Sequence, residues 1–291
     1  MKNKTTTLRL IYPQWQGGIV SHWMPDIPAD DASQGYYLGS HLLQFLAPNK
    51  EQRTVEVPIS LALTDRAEKK GINAYEVILK QTKDALAVLK KENPERIVTL
   101  GGDCSSSVVP FTYLAAKYPD DVALVWIDAH PDINMPHDKY KGYHAMALAA
   151  CLGLWNDEII QALPAKFDIS KTLLVGVRDW DEEMKDRQSA LNIKGLFPAE
   201  VAENSSSVLE WLKKTGASKV VIHYDLDVLD PEEIIAAVGI VPHGMKINEV
   251  SRLIYDIGEK YDILSLTIAE PMPRTAIKIR NLLHNLPLFR D

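Results

Sequence analysis

The sequence predicts an α/β fold, a parallel sheet covered by helices on both faces. Strand-like apolar runs alternate with helix-like segments from end to end, the pattern that crossover helices impose on parallel strands. No repeat, low-complexity tract or long linker interrupts the alternation. Residues 1–291 therefore read as a single domain with a sizeable core.

Taken in order, the strand candidates are LRLIY, RTVEVPI, RIVTLGG, VALVWID, TLLVGV, VVIHYDLD and ILSLTIAE. Each is a short, β-branched-rich run of the length a buried strand needs. Between the second and third, INAYEVILKQTKDALAVLKKENP carries apolar residues at helical spacing through Tyr75, Ile78, Leu79, Leu86 and Leu89. Asn73 and Glu76 stand three apart at its start, as in a capping box, and Pro94 follows its end. SSVLEWLKKTG and NEVSRLIYDIGEKY predict two more helices, the first stopped by Gly216.

A formal net charge of −7 and the absence of a dense Lys/Arg run argue against a nucleic-acid partner. The longest apolar stretch, AMALAACLGLW, is too short to cross a bilayer, and MKNKTTTLRLIYPQW lacks the apolar core of a secretory signal. A cytoplasmic protein is expected. There the two cysteines, Cys104 and Cys151, stay thiols. Cys151 lies in an apolar, small-residue segment and reads as packing.

In such sheets ligands gather at the carboxyl ends of the strands, and several runs end in ligand-capable residues: RIVTLGGDC, VALVWIDAHPD, VVIHYDLDVLDP and LSLTIAEP. Asp128, His130 and Asp132 stand at alternate positions, as do Asp225 and Asp227, so an extended backbone would place each set on one side. Five anionic or imidazole groups at one rim repel one another unless a multivalent cation sits among them. Oxygen-rich donors with one imidazole suit ions such as Mn²⁺. Two such ions about 3.5–4 Å apart would activate a water for hydrolysis.

The segments GGDCSSS, WIDAHPDIN, GYHAMALA, HYDLDVLDP and IAEP resemble, in order, the signature segments of the arginase/agmatinase (ureohydrolase) family. The resemblance implies a three-layer α/β/α fold around a mainly parallel eight-stranded sheet, with two Mn²⁺ ions at its rim. It implies that Asp128 and Asp225 bridge the ions, that Asp132 completes one, and that His130 and Asp227 complete the other. It further implies attack of a hydroxide on the planar carbon of a guanidinium or related linear amidine, a small-molecule substrate. Glu270 matches the guanidinium-binding glutamate and His144 the proton-shuttle histidine. Asn134 and Asp179 match substrate contacts. The family's usual assembly is a homo-oligomer, a trimer or hexamer.

This sequence departs from the family pattern at Cys104, where relatives carry a ligating histidine. Three outcomes are open there: the thiolate ligates and shifts metal preference, it stands aside and leaves one ion weak, or activity is lost in favour of a metal-poor oligomer partner or regulator. A deacetylase-type amide hydrolase is the other alternative, since related folds use similar rims. His223 stands where a small hydroxyl residue is usual. Being two residues deeper than Asp225, about 6.6 Å along a strand, it reads as packing or support for a ligand. A carboxylate-gripping Ser-Gly-Asn is replaced by Lys141-Gly142-Tyr143, so Lys141 or Tyr143 is expected to contact a different substrate group.

Overall fold

The computed structural model describes residues 7–48 and 51–288. The expected domain limits at 1 and 291, and the first residues of the segment read for a signal, lie outside them. Eight strands form one sheet: β1 Thr7–Tyr12, β2 Thr54–Glu56, β3 Arg96–Gly101, β4 Val122–Ile127, β5 Thr172–Val175, β6 Lys194–Leu196, β7 Lys219–Asp225 and β8 Asp262–Ala269. Their order is β2-β1-β3-β8-β7-β4-β5-β6 and every pairing is parallel.

Side-chain alternation divides the core. On β4, Leu124 and Trp126 join a cluster with the helices Tyr75–Glu92, Val108–Lys117 and Ala147–Leu152. Ala123, Val125 and Ile127 point the other way, toward Ser206–Thr215 and Ile247–Gly258. Both faces of the strand are thus covered, which is why VALVWI is apolar at every position. A third cluster, around Trp15, Met24, Tyr36 and Met272, closes the region next to the carboxyl end of β8. Among the described residues no helix is long and apolar enough to cross a membrane.

Three local expectations change. The helix after residue 72 begins at Tyr75 behind Ala74, whose backbone is left-handed, and Glu76 bonds Lys69 instead of closing a capping box. Asn73 instead donates its backbone N–H to Lys141 O at 2.9 Å, tying this helix to the loop before His144. RTVEVPI supplies only Thr54–Glu56 to the sheet, at its edge. β6, at the opposite edge, has one buried residue, Leu196, and so shows no apolar run. The expected stops hold: the first helix ends at Glu92 before Pro94, with Asn93 left-handed between them, and the second ends at a left-handed Gly216.

Candidate functional site

The order β3-β8-β7-β4-β5 places five carboxyl ends side by side. Cys104 follows β3, Glu270 follows β8, Asp225 ends β7, Asp128 follows β4 and Asp179 follows β5. Cys104, Glu270, Asp225 and Asp179 line one cavity of about 500 Å³, and Asp128 is buried beneath its rim.

β4 ends at Ile127; Asp128 to His130 form a bend, and Pro131 and Asp132 are irregular rather than strand. The alternation expected there is replaced by a turn held through Asp128, whose Oδ1 accepts from His130 N at 2.7 Å. Asp132 has a positive φ of 49°, an uncommon conformation for a residue with a Cβ. Its carbonyl accepts from Leu148 and Ala149 N–H, which offsets that cost. The rim still converges. His130 Nδ1 lies 3.0 Å from Asp227 Oδ2 and 3.6 Å from Asp128 Oδ1. Asp227 sits in a short turn after β7, and its N–H donates to Asp225 Oδ1 at 2.7 Å.

The corner where the paired strands β3 and β8 end is equally organised. Glu270 is buried and has φ 61°. Its Oε2 accepts from the Tyr36 hydroxyl, and its Oε1 lies 3.1 Å from Cys104 N, 3.2 Å from Cys104 Sγ and 3.2 Å from His144 Nδ1. Cys104 Sγ is also 3.1 Å from Asp225 Oδ2. On its other edge, His144 Nε2 is 2.6 Å from the Tyr140 hydroxyl. The close approach of Gly102 to Gln14 makes this corner possible: a Cβ at 102 would lie 1.8 Å from Gln14 O.

Donor chemistry fits a divalent cation. Cys104, Asp128, His223 and Asp225 form one group, and Asp128, His130 and Asp227 another, each offering ligand atoms all within 4.8 Å of one another. Asp132 Oδ2 and His223 Nε2 are buried without a hydrogen-bond partner. Burial, then the charges of Asp227 and Asp128, push the Asp225 carboxyl well above its usual range. Burial and Asp128 do the same to Asp132, and burial with Asp132 and Asp225 raises the Cys104 thiol. A cation's charge relieves such mutual repulsion. Burial pushes Glu270 up to about 8 and His144 down to about 4.

The remaining expected residues divide. Asn134 lines the cavity with its Oδ1 unpartnered, and Asp179 stands at the rim with Oδ2 3.5 Å from His130 Nε2. Lys141 and Tyr143 do not line the cavity. Lys141 Nζ donates to Pro136 O at 2.9 Å. Tyr143 is buried in the core against Trp155, ring centroids 6.4 Å apart. The bond from Asn73 N–H to Lys141 O ties down this segment, from which Tyr140, His144 and Ala145 reach the cavity and Lys141 and Tyr143 do not.

Tyr36, Tyr140, Trp23 and Met184 line the cavity without having been picked out in the sequence, as does the loop Val238–Val241. Tyr140 lies in the loop four residues before His144 and meets it through the bond to Nε2. Cys151 is fully buried, as its surroundings suggest.

Residues 43–282 match the model of the Arginase family. The arginase of Entamoeba histolytica is 25% identical over 243 residues, covering 80% of this chain and 81% of that protein. A Staphylococcus aureus arginase is 25% identical over 229 residues, 75% of each chain. Among solved structures, E. histolytica arginase in complex with L-ornithine superposes with a TM-score of 0.72 at 20% identity, covering 93% of this chain and 92% of that one. The arginase of Bacillus caldovelox gives 0.71 at 21% identity, covering 97% and 98%. With the family's match spanning most of its length and an eight-stranded parallel sheet under its cavity, the chain belongs to the arginase family.

Proposed function

We propose that this chain is a metal-dependent hydrolase that cleaves a C–N bond of a guanidino or related linear amidine compound. Two divalent ions, manganese by family resemblance, would be held by Asp128, Asp225, Asp132, His130 and Asp227 with Cys104 at their edge. The observation that carries this reading is Glu270: a buried carboxylate in left-handed backbone, sharing one cavity with two groups of metal-capable donors.

When bound, the ions supply the positive charge that lets a water lose its proton near neutral pH. Burial raises the Glu270 pKa to about 8, and the positive charge of a bound guanidinium beside it would favour the ionised form, giving the substrate a negative partner in a buried corner where such an interaction is strong. His144, between Tyr140 and Glu270, stands where a proton can pass to the departing amine. Asn134 and Asp132 present unpartnered oxygens to the same cavity.

The cavity wall narrows the substrate. Its lining includes the apolar side chains of Val20, Trp23, Met184 and Ile240 and the carboxylates of Asp179 and Asp181, and no lysine or arginine among the described residues. A guanidino compound with an apolar body and no carboxylate near Asp179 and Asp181 fits this wall better than an amino acid does. Cytoplasmic residence, one domain over 1–291 and a homotrimer or homohexamer belong to the same proposal.

The test is urea release from a panel of guanidino compounds, with and without carboxylates, by the manganese-loaded protein. Urea from the carboxylate-free members is expected. Silence across the whole panel, with metal bound, overturns the reading.

A further inference from the structure

His223 is fully buried on β7, and its ring is fixed from two directions. Trp126 stacks on it, centroids 3.6 Å apart at 10°. Ser107 Oγ lies 2.7 Å from its Nδ1. Its Nε2 has no hydrogen-bond partner and lies 3.6 Å from Asp128 Oδ2. Leaving a buried ring nitrogen unpaired is costly, and a histidine kept for packing alone gains nothing from it.

His223 belongs with Cys104, Asp128 and Asp225 to one group, whose ligand atoms, one from each residue, all lie within 4.8 Å of one another. Ligands sit about 2.0–2.3 Å from a zinc ion, so donors around one ion are at most roughly 4.5 Å apart, and the group needs little closing. Counting residues along the strand puts His223 two residues below Asp225, but its Nε2 lies 3.6 Å from the carboxylate of Asp128, which follows β4 at the rim. With Nδ1–H donating to Ser107 Oγ, the Nε2 lone pair is free to face an ion, the arrangement in which an outer partner fixes a ligating tautomer.

We propose that His223 Nε2 and Cys104 Sγ bind one ion together with Asp128 and Asp225, a site of sulfur, imidazole and two carboxylates. This donor set favours zinc or cobalt over manganese. The group of Asp128, His130 and Asp227 holds the second ion with more oxygen, and Asp128, common to both groups, stands between them. Binding converts the Cys104 thiol to a thiolate and releases its proton to solvent. The proposal rests on the hydrolase reading only for there being a metal centre at this rim.

The test titrates the full-length chain, stripped with chelator, with Co²⁺ and with Zn²⁺. The wild type should show thiolate-to-cobalt charge-transfer absorption that Cys104→Ser abolishes. His223→Asn should change the visible cobalt bands and weaken one zinc ion by more than the roughly 10–100-fold that loss of an outer partner costs, leaving the second ion in place. A wild-type cobalt spectrum and unchanged zinc affinities in a folded His223→Asn overturn the proposal. If Asp128→Asn then loses both ions, the hydrolase reading survives that failure; a wild type that binds neither metal removes both. Should His223→Asn fail to fold, the double variant Cys104→His with His223→Ser decides. A folded double variant that holds two ions, without the charge-transfer band, supports the exchange of imidazole between the two positions. One that holds a single ion overturns it.

Discussion

The Tyr140 hydroxyl lies 2.6 Å from Nε2 of His144, on the far side of the ring from Glu270, whose Oε1 is 3.2 Å from Nδ1. The imidazole is therefore held from both edges. The same hydroxyl accepts from Ile19 N–H at 3.2 Å, which anchors it to the loop after β1. His144→Ala should lower kcat by about 10²–10⁴-fold, the usual value of a positioned acid or base. Tyr140→Phe keeps the ring and loses the tether, so kcat should fall about tenfold or more with KM nearly unchanged. Steady-state kinetics on the best guanidino substrate checks both; an unaltered kcat in His144→Ala would remove the histidine from the reaction.

Glu270 is expected to act through its charge, since both its oxygens already have protein partners at the cavity edge. Glu270→Gln retains the size and forfeits the anion. Its kcat/KM should fall by about 10²–10³-fold, as when one preorganised electrostatic contact is removed. Metal content measured in the same preparation separates loss of substrate binding from loss of ions.

Gly102 holds the corner on which Cys104 and Glu270 both depend, because Glu270 N–H donates to Gly102 O at 2.8 Å and Gly102 N–H to Tyr12 O at 2.9 Å. A methyl at 102 meets backbone, which cannot swing away. Gly102→Ala should cost about 1–3 kcal/mol or more, the range for overpacking a tight site. The check is a thermal or denaturant melt, and a variant as stable as the wild type contradicts it.

The parts of this molecule that can be read from its sequence are those where one residue's identity matches its local surroundings. Asp128, Asp225 and Glu270 each end an apolar run, and a parallel sheet must bring such ends together. What escapes is contact across distance in the chain. Tyr36 bonds Glu270 234 positions away, and nothing near either residue announces it. Tyr143 and Lys141 have the spelling of cavity residues but do not line it, in a segment tied to Asn73 by a tertiary bond. His223 is fully buried against Trp126, as its depth along the strand suggests, but strand arithmetic follows the backbone and does not report that its Nε2 lies 3.6 Å from Asp128 Oδ2. β6 is too short, and too exposed on its edge, to leave an apolar signature.

At the opposite end of the sheet, Asp121 joins the starts of β4 and β7. Its carboxylate accepts from Ser218 N–H and Oγ at 2.7 Å each and from Lys219 Nζ at 2.6 Å. The Lys219 hydrogen bond and the Ser218 donors lower its pKa to about 2. A depressed folded-state pKa means stability that is complete above the unfolded value, about 3.9 for Asp, and lost as pH falls through the folded one. The wild type should therefore melt above Asp121→Asn at neutral pH, with the gap narrowing between about pH 4 and pH 2. The gap should be small, because the group is partly exposed and screened. A gap that widens on acidification would give the carboxylate the wrong sign.

The loop Val238–Val241 supplies a way to perturb one half of the rim alone. Gly239 lies against Asp227: a Cβ there would be 2.6 Å from Asp227 Oδ2 and 3.1 Å from its Cβ. Its carboxylate is held to His130 at 3.0 Å and to Ala129 N–H at 3.2 Å, both in the bend after β4 and not in the sheet. Gly239→Ala should therefore displace Asp227 and leave the sheet intact. Affinity for the ion served by His130 and Asp227 should drop about 10–100-fold, the cost of misorienting a ligand. The ion on the Cys104 side should keep its affinity, and the melting temperature should stay close to that of the wild type. Metal titration of this variant beside His223→Asn gives opposite patterns of loss if the rim holds two separate ions, and the same pattern if it holds one.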